Sequence, residues 1–161
     1  MEHSNNPLVS VIMNCHNGEK YLEEALQSVF DQTYKNWEII FWDNNSTDNS
    51  NKILKSYKDP RIHYYYSESY SKLGKARNLA LEKANGELIA FLDCDDLWLP
   101  KKLEFQINVF KDPDVGIAIS NSIFFNSKGK EKLLYKKKPK DGFVFKELLD
   151  SYYISMETVI I

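Results

Sequence analysis

The residue types that are scarce in this chain exclude several classes of protein. Its two cysteines, Cys15 and Cys94, are too few for a disulfide framework, so a reducing, cytoplasmic setting is the expectation. No apolar run approaches the ~20 residues that span a bilayer, and the polar start lacks the regions of a signal peptide. The net charge of -2 gives no case for nucleic acid as a partner.

Glycine is also scarce, with six residues in the chain, and its placement excludes several phosphate- or ion-binding loops. Gly18 is the single glycine between positions 14 and 20, the loop after the first predicted strand. A P-loop, a dinucleotide-binding loop and the glycine-rich loop of a nucleotidyltransferase all need more glycine there. The stretch 43–54 does not fit a calcium loop, because Asp48 stands where glycine is needed and Leu54 where the bidentate glutamate belongs.

The chain does contain the repeating pattern of an α/β domain. With 161 residues and 43% hydrophobic content, it suits one compact domain with a sizeable core. Short apolar runs alternate with apolar stripes at helical spacing, which predicts a mostly parallel sheet flanked by helices and joined by right-handed crossovers. Strands are predicted at 9–13, 37–42, 62–66, 88–92 and 115–119, and helices around 21–30, 53–54, 73–84 and 99–110, the second capped by Ser46 or Thr47.

The pattern changes after about residue 120. Residues 123–125 and 133–135 predict the two strands of a C-terminal β-hairpin, and a short helix is predicted at 145–149. Residues 158–161 have the composition of a strand that is just beginning. Because a chain that stops on a bare apolar strand is unusual, we expect residues 1–161 to form a single domain that is truncated at its C-terminal end.

Four residues, Asp93, Cys94, Asp95 and Asp96, follow the apolar run 88–92. That run lacks polar alternation, which predicts a strand buried on both faces of a parallel sheet. Carboxylates at its end repel one another, by on the order of 4 kcal/mol for a pair about 4 Å apart near a surface. A hard divalent cation with oxygen ligands would relieve this repulsion. The alternative is an acidic turn before the helix that Pro100 opens.

Polar residues also follow the first and second predicted strands. Ligands of open parallel sheets bind beyond the carboxyl ends of the strands, where the strand order reverses. With the common order 3-2-1-4, three polar strand ends border one crevice, which therefore predicts a ligand site. These ends are residues 14–17, 43–48 and 93–96.

Four ordered motifs in this chain resemble those of the family 2 glycosyltransferases. The resemblance covers residues 7–120, which we take as the nucleotide-sugar-binding core, and it implies the GT-A (Rossmann-like) fold. It also implies a nucleotide-sugar donor, most often a UDP-sugar, and a divalent ion, usually Mn²⁺ or Mg²⁺. The motifs are Val9–Ile12 with Cys15–Asn17, the stretch from Asp31–Tyr34 to Asp43–Asp48, Gly74–Asn78, and Asp93–Asp96 with Trp98 and Pro100.

The resemblance assigns roles to individual residues, and the chemistry of each side chain is consistent with them. Asp95 and Asp96 are the expected metal ligands, and Asp93 is expected to accept hydrogen bonds from ribose hydroxyls. Asp43 can accept the imide N–H of uracil, and Arg77 can contact the diphosphate from the first turns of its helix. The full set of expected donor-binding residues is Cys15, His16, Asn17, Asp43, Asn44, Arg77, Asp93 and Cys94.

Two positions depart from the family pattern. Asn44 replaces the second acid of an acidic pair, and His16 stands where Tyr is frequent, although either ring can stack on a base. The two cysteines are expected on adjacent strands as free, small, buried thiols. The acidic motif that supplies the general base lies downstream of the matched region, and Ser155–Thr158 around Glu157 does not resemble it. We therefore expect the catalytic base beyond Ile161.

These observations predict a metal-dependent, inverting glycosyltransferase of cell-surface polysaccharide or glycoconjugate synthesis, with a saccharide or lipid-linked acceptor. The alternative is a non-catalytic nucleotide-sugar-binding module or a fragment without the general base. A lysine-rich stretch near the C-terminus is usually a solvated hairpin face, but attraction to anionic lipid at the inner face of the membrane is a second option. Its lysines are Lys128, Lys130, Lys132, Lys136, Lys137, Lys138 and Lys140.

Overall fold

The structure is a computed structural model that describes residues 6–126, 128–129, 131–150 and 153–161. Strands and helices alternate through the first two thirds of the chain, as the sequence pattern predicts. The strands are β1 Val9–Cys15, β2 Trp37–Asp43, β3 Ile62–Tyr66, β4 Leu88–Phe91, β5 Ala118–Ile119, β6 Ile123–Phe125, β7 Glu131–Leu133 and β8 Val159–Ile160. The α-helices are α1 Leu22–Phe30, α2 Ser50–Ser56, α3 Leu73–Leu81, α4 Lys102–Ile107 and α5 Phe145–Asp150.

Six of the strands form one sheet in the order β3-β2-β1-β4-β8-β5. β1 pairs in parallel with β2 and with β4, and β2 pairs in parallel with β3. The predicted order 3-2-1-4 is therefore confirmed, and β8 runs antiparallel between β4 and β5. As a result, β1, β2 and β4 end at the same edge of the sheet, where the polar segments follow.

The central strands are apolar because both of their faces are covered. Every residue of β2 is buried, and six of the seven residues of β1 are buried. Helix α1 packs its apolar stripe on the sheet through Leu22, Ala25, Leu26 and Val29, none of which is exposed. Burying one such side chain stabilises the fold by roughly 1.5–3 kcal/mol, so this core fixes the sheet edge that carries the polar loops.

Two helices begin later than their sequence patterns predict. Helix α2 begins at Ser50 rather than after Ser46 or Thr47, because the backbone N–H of Thr47 instead donates to Asn17 Oδ1 at 2.8 Å. Helix α4 begins at Lys102 rather than Leu99. The Leu99 carbonyl accepts from Gln32 Nε2, so the chain before α4 is held against the segment that follows α1 in an irregular conformation.

The C-terminal third differs more from the sequence-based expectation. The predicted hairpin is confirmed as the antiparallel pair of β6 and β7, although Ser127 and Lys130 lie outside the described residues. The predicted strand beginning near the end is β8, which enters the main sheet, with Ile160 fully buried between Ala90 and Ala118. Strand β5 is shorter than predicted. Among the described helices, none is long and apolar enough to cross a membrane.

A buried carboxylate, Glu38, holds the amino edge of the sheet together. Its Oε1 accepts hydrogen bonds from Ser10 Oγ at 2.6 Å and from the backbone N–H of Asn85 at 2.8 Å. Its Oε2 lies 3.2 Å from His63 Nε2. Burial alone would raise the pKa of Glu38, but these hydrogen bonds and the charge of His63 outweigh it, so the pKa is lowered. Glu38 therefore stabilises the fold as an ionised group.

Candidate active site

The loops after β1 and β2 are joined to each other at the carboxyl edge of the sheet. The backbone N–H of Asn17 donates to Ser46 Oγ at 3.0 Å, and Asn17 Oδ1 accepts the N–H of Thr47. Asn17 and Asn45 adopt φ values of 57° and 65°, a left-handed conformation that asparagine tolerates better than most residues. These bonds set the two polar loops at a fixed distance from each other.

Asp43 and Asn44 are buried at the end of β2, where protein groups already contact their side chains. Asp43 accepts hydrogen bonds from Tyr64 Oη at 2.9 Å and from the backbone N–H of Ser46 at 2.8 Å. The Asn44 amide exchanges hydrogen bonds with the Ser71 backbone. The two residues therefore shape the walls of the crevice, and nucleobase recognition by Asp43 stays a prediction.

His16 lies at the mouth of this crevice and contacts an aromatic residue of the segment after β3. Its Nδ1 is 3.0 Å from the Asn44 carbonyl oxygen, which fixes the orientation of the ring. The ring of Tyr70 packs edge-on against it, with ring centres 4.7 Å apart, and Tyr70 is 61% exposed. An oriented pair of rings with an open side can stack on a planar base.

Arg77 of α3 is paired with Asp93 at the opposite side of the crevice. One of its terminal nitrogens, Nη2, lies 2.9 Å from Asp93 Oδ1 and 3.1 Å from Oδ2. The Asp93 side chain is 40% exposed and that of Arg77 is 19% exposed. The ion pair fixes the Arg77 guanidinium beside Asp93, and contact of Arg77 with a diphosphate stays a prediction.

The carboxylates of Asp95 and Asp96 have no such cation beside them in the described structure. Asp95 is exposed and Asp96 is half-buried. Burial raises the pKa of Asp96 to about 6, and the negative charges of Glu157, Asp95 and Asp93 act in the same direction. This local excess of negative charge favours a bound cation.

The carboxylates of Asp95 and Asp96 fit a hard divalent ion whose other ligands are the phosphate oxygens of a bound nucleotide. Among the described residues, no group of three or more His, Cys, Asp or Glu side chains is arranged to hold a metal ion. Mg²⁺ and similar ions are often bound by one or two carboxylates together with substrate phosphates. Asp95 and Asp96 supply those carboxylates, so they fit an ion that binds together with a diphosphate.

Cys15 and Cys94 are free, buried thiols, as the sequence analysis expects. They share a hydrogen bond, which lowers the pKa of Cys15 to about 7 despite its burial and raises that of Cys94. The Asn14 carbonyl oxygen, 3.3 Å from Cys94 Sγ, is a second acceptor for the single proton of that thiol. Neither sulfur is exposed enough to contact a bound nucleotide directly, so their place in the donor-binding set stays a prediction.

A groove of about 1300 Å³ lies on the other side of Asp96, between α1, α4 and the β6–β7 hairpin. Trp98, Lys102 and Glu157 are in its wall. Lys102 Nζ lies 4.3 Å from the centre of the Trp98 ring, and burial lowers its pKa to about 7, although Glu157 opposes this shift. The groove adjoins the acidic segment and not the crevice near Asp43, so it provides a second space beside the carboxylates.

The structure thus brings all three predicted polar strand ends to one edge. Four further residues contribute to this site although no sequence motif indicates them. Their roles depend on strand register and on contacts between distant segments. Alternation in β3 places Tyr64 and Tyr66 on one face, but the register that brings Tyr64 to Asp43 cannot be deduced from one strand alone. These additional residues are Tyr64, Tyr70, Ser71 and Glu157.

Comparison with known proteins gives the same assignment for the fold. The sequence model of glycosyl transferase family 2 matches residues 10–158. The Escherichia coli enzyme UDP-Glc:alpha-D-GlcNAc-diphosphoundecaprenol beta-1,3-glucosyltransferase WfgD is 38% identical over 120 residues, which cover 74% of this chain and 47% of that enzyme. The chain spans 41–52% of the length of three curated relatives that it matches.

Two similar solved structures contain a nucleotide-sugar. TarS 1–349 of S. aureus in complex with UDP-GlcNAc has a TM-score of 0.69 at 26% identity, over 94% of this chain and 44% of that chain. The mannosyltransferase PcManGT of Pyrobaculum calidifontis in complex with GDP-Man and Mn²⁺ has a TM-score of 0.66 at 26% identity, over 71% of this chain and 35% of that chain. The family model matches most of the chain, and the strands of the sheet have the predicted order. The chain therefore belongs to glycosyl transferase family 2 and has the GT-A fold.

Proposed function

We propose that this chain binds a UDP-sugar together with a divalent ion and forms the donor half of an inverting glycosyltransferase. The observation that carries the proposal is the meeting of three polar strand ends beside carboxylates that lack a compensating cation. Similar proteins support the donor class, since TarS is described in complex with UDP-GlcNAc and PcManGT with GDP-Man.

In this proposal the residues of the crevice divide the work of holding the donor. His16 stacks on the base, Asp43 accepts its imide N–H through a free lone pair, and Asp93 accepts the ribose hydroxyls. Arg77 holds Asp93 in place and adds positive potential near the diphosphate. Asn17, Asn44 and the two cysteines fix the loops that carry these groups.

Asp95 and Asp96 hold the divalent ion, Mn²⁺ or Mg²⁺, together with the diphosphate. When bound, such an ion supplies Lewis-acid neutralisation of the leaving phosphate charge. The Mn²⁺ that accompanies GDP-Man in PcManGT supports this choice of metal. Burial is the main cause that raises the pKa of Asp96 to about 6, and the charges of Glu157, Asp95 and Asp93, which a cation would offset, add to it.

The acceptor in this proposal is a saccharide or a lipid-linked sugar of cell-surface glycan synthesis. The relative WfgD is named for transfer to a diphosphoundecaprenol-linked GlcNAc. Inversion requires a general base that deprotonates the acceptor hydroxyl as it attacks the anomeric carbon. We assign no general base among the described residues, and the groove beside Asp96 is the space we propose for the acceptor.

The lysines of the C-terminal third support peripheral contact with an anionic membrane surface. Lys128, Lys132, Lys136 and Lys137 are exposed, and juxtamembrane lysines contribute about 1 kcal/mol each near such a surface. Lys130, from the same predicted cluster, lies outside the described residues. Flotation with phosphatidylglycerol vesicles should recover the protein at low salt, whereas recovery equal to that with neutral vesicles would contradict this part.

A panel of nucleotide-sugars tests the donor proposal. We expect a UDP-sugar to raise the melting temperature in the presence of Mn²⁺, and a ligand at a hundredfold excess over its Kd adds about 2.7 kcal/mol of stability. GDP-mannose tests whether the protein recognises the base, and UDP without a sugar tests whether it recognises the sugar. Equal and metal-independent shifts for all compounds would contradict the proposal.

A transfer assay separates an enzyme from a binding module. Transfer of sugar from the selected donor to a lipid-linked acceptor would show that this chain catalyses the reaction. Metal-dependent binding without transfer or donor hydrolysis would instead support a donor-binding module that needs further residues for the base.

A further inference from the structure

Cys15 and Cys94 come together at the ends of two paired strands. β1 and β4 pair in parallel with Ile12 opposite Phe91, and each cysteine is three residues further along its own chain. The backbone N–H of Leu92 donates to the Ile12 carbonyl at 3.1 Å, so the two chains remain side by side past the ladder. Adjacent strands lie about 4.8 Å apart, inside the range of Cα separations that disulfides span.

The two sulfur atoms also converge on one small residue. A methyl group added at Gly18 would lie 2.9 Å from Cys15 Sγ and 3.7 Å from Cys94 Sγ. The two thiols share a hydrogen bond in the reduced protein. A side chain at position 18 would therefore crowd both cysteines, and glycine leaves the space beside their sulfur atoms open.

We propose that Cys15 and Cys94 form a reversible intramolecular disulfide when the protein meets a small peroxide. The Cys15 sulfur attacks one oxygen of hydrogen peroxide, the O–O bond breaks, and the hydroxide released takes the thiol proton to give water. The resulting sulfenic acid is attacked by the Cys94 sulfur, the S–O bond breaks, and the second hydroxide takes the Cys94 proton. Two thiols and one peroxide become one disulfide and two waters.

Cys15 is the residue that reacts first. The Ser46 hydroxyl lies 3.9 Å from its sulfur, and Cys94 and Gly18 add further hydrogen bonds. The contact with Cys94, aided by those with Ser50, Gly18 and Ser46, lowers the pKa of Cys15 to about 7 despite its burial, whereas the pKa of Cys94 is raised, so Cys15 is the better nucleophile of the two. Cys15 is 2% exposed and Cys94 8% exposed, so a small oxidant can reach them more readily than a bulky one.

The new bond would join the last residue of β1 to the acidic segment. Cys94 would give up its hydrogen bond to the Asn14 carbonyl, and its neighbours Asp93 and Asp95 flank the position that moves. The disulfide thus links oxidation to the segment that carries the carboxylates. Its formation does not depend on the protein binding a nucleotide, so the two proposals can fail separately.

The test is intact-protein and peptide mass spectrometry after brief treatment with hydrogen peroxide. We expect the protein to lose two hydrogen atoms, a peptide pair linked through Cys15 and Cys94 to appear, and dithiothreitol to restore the original mass. The variant Cys94→Ser should accumulate a sulfenic acid at position 15 that dimedone traps. The variant Cys15→Ser should show at least tenfold less dimedone adduct under the same conditions.

Three results would overturn the proposal. These are retention of both thiols, oxidation to sulfinic acid without a linked peptide pair, and disulfides between separate molecules. Circular dichroism of each serine variant shows that it is folded, and the wild-type result stands without either variant.

Discussion

Glu38 at the amino edge of the sheet and Asp96 at the carboxyl edge lie in opposite electrostatic environments. At the amino edge, buried Glu38 accepts hydrogen bonds from Ser10 and Asn85 and lies beside His63, and its pKa is lowered. At the carboxyl edge, Asp96 lies among other negative charges, and its pKa is raised to about 6. Glu38 is satisfied by protein groups alone, whereas Asp96 has no positive partner among the described residues.

The difference separates a structural carboxylate from a binding carboxylate. A paired and hydrogen-bonded charge stabilises the folded chain, and an uncompensated group lowers stability until a ligand supplies the opposite charge. Burial alone does not distinguish the two, since the buried Asp43 at the carboxyl edge is satisfied by Tyr64. The useful criterion is which donors surround each oxygen.

The largest effect on stability is expected at the amino edge. Glu38→Ala leaves Ser10, Asn85 and His63 without their shared acceptor, and we expect it to lower the free energy of unfolding by about 3 kcal/mol. Urea unfolding measures this loss. The matched control Glu24→Ala removes an exposed carboxylate of α1 and should change the value by less than about 0.5 kcal/mol. Equal effects of the two variants would break the comparison.

The pH dependence of stability should have opposite signs at the two edges. Because the folded-state pKa of Asp96 is raised from 3.8 to about 6, its ionisation lowers stability as pH rises through that window. Asp96→Asn should therefore be about 1 kcal/mol more stable than wild type at pH 8 and nearly equal at pH 4, a value reduced for solvent screening. Urea unfolding of both proteins at pH 8 and pH 4 measures this. The same stability difference between variant and wild type at both pH values would contradict the prediction.

At Glu38, stability should change with pH in the opposite direction. Its folded-state pKa lies below 4.5, so its contribution is present above that pH and is lost as pH falls through the lowered value. Glu38→Gln should remove this loss in acid, as measured by unfolding between pH 3 and pH 6. If the variant loses as much stability as the wild type between pH 6 and pH 3, Glu38 does not stabilise the fold as an ionised group.

A smaller effect is expected at the Arg77–Asp93 pair, which is partly exposed. Arg77→Ala should lower the free energy of unfolding by about 0.5–1 kcal/mol. Lys75→Ala removes an exposed charge from the same helix and serves as the control, with an expected change near zero. Equal changes for the two variants in urea unfolding would mean that the ion pair contributes nothing to stability.

The arrangement of the central sheet could be predicted because its signals are local and repeated. Apolar runs identify β1, β2 and β4, and helical stripes identify α1 and α3, so the order 3-2-1-4 and the shared edge follow from general rules of chain connection. The adjacency of Cys15 and Cys94 follows from the same order.

The features that could not be predicted depend on contacts between distant segments. The composition of residues 158–161 predicts a strand, which is β8, but it does not predict the position of that strand between β4 and β5, where Val159 and Ile160 are buried. The start of α2 moves because Thr47 bonds to Asn17. The contacts of Tyr64 with Asp43 and of Arg77 with Asp93 likewise need the three-dimensional register.

The central claim is that the carboxyl edge holds a divalent ion and a nucleoside diphosphate together. Calorimetric titration of UDP in the presence and absence of Mn²⁺ tests it directly. Wild-type protein and the control Asp114→Ala, which removes an exposed carboxylate between α4 and β5, should bind UDP at least tenfold more tightly with Mn²⁺ than without it. Asp95→Ala should remain folded and lose that difference. Binding that is independent of Mn²⁺ in wild type, or unchanged in Asp95→Ala, would contradict the claim.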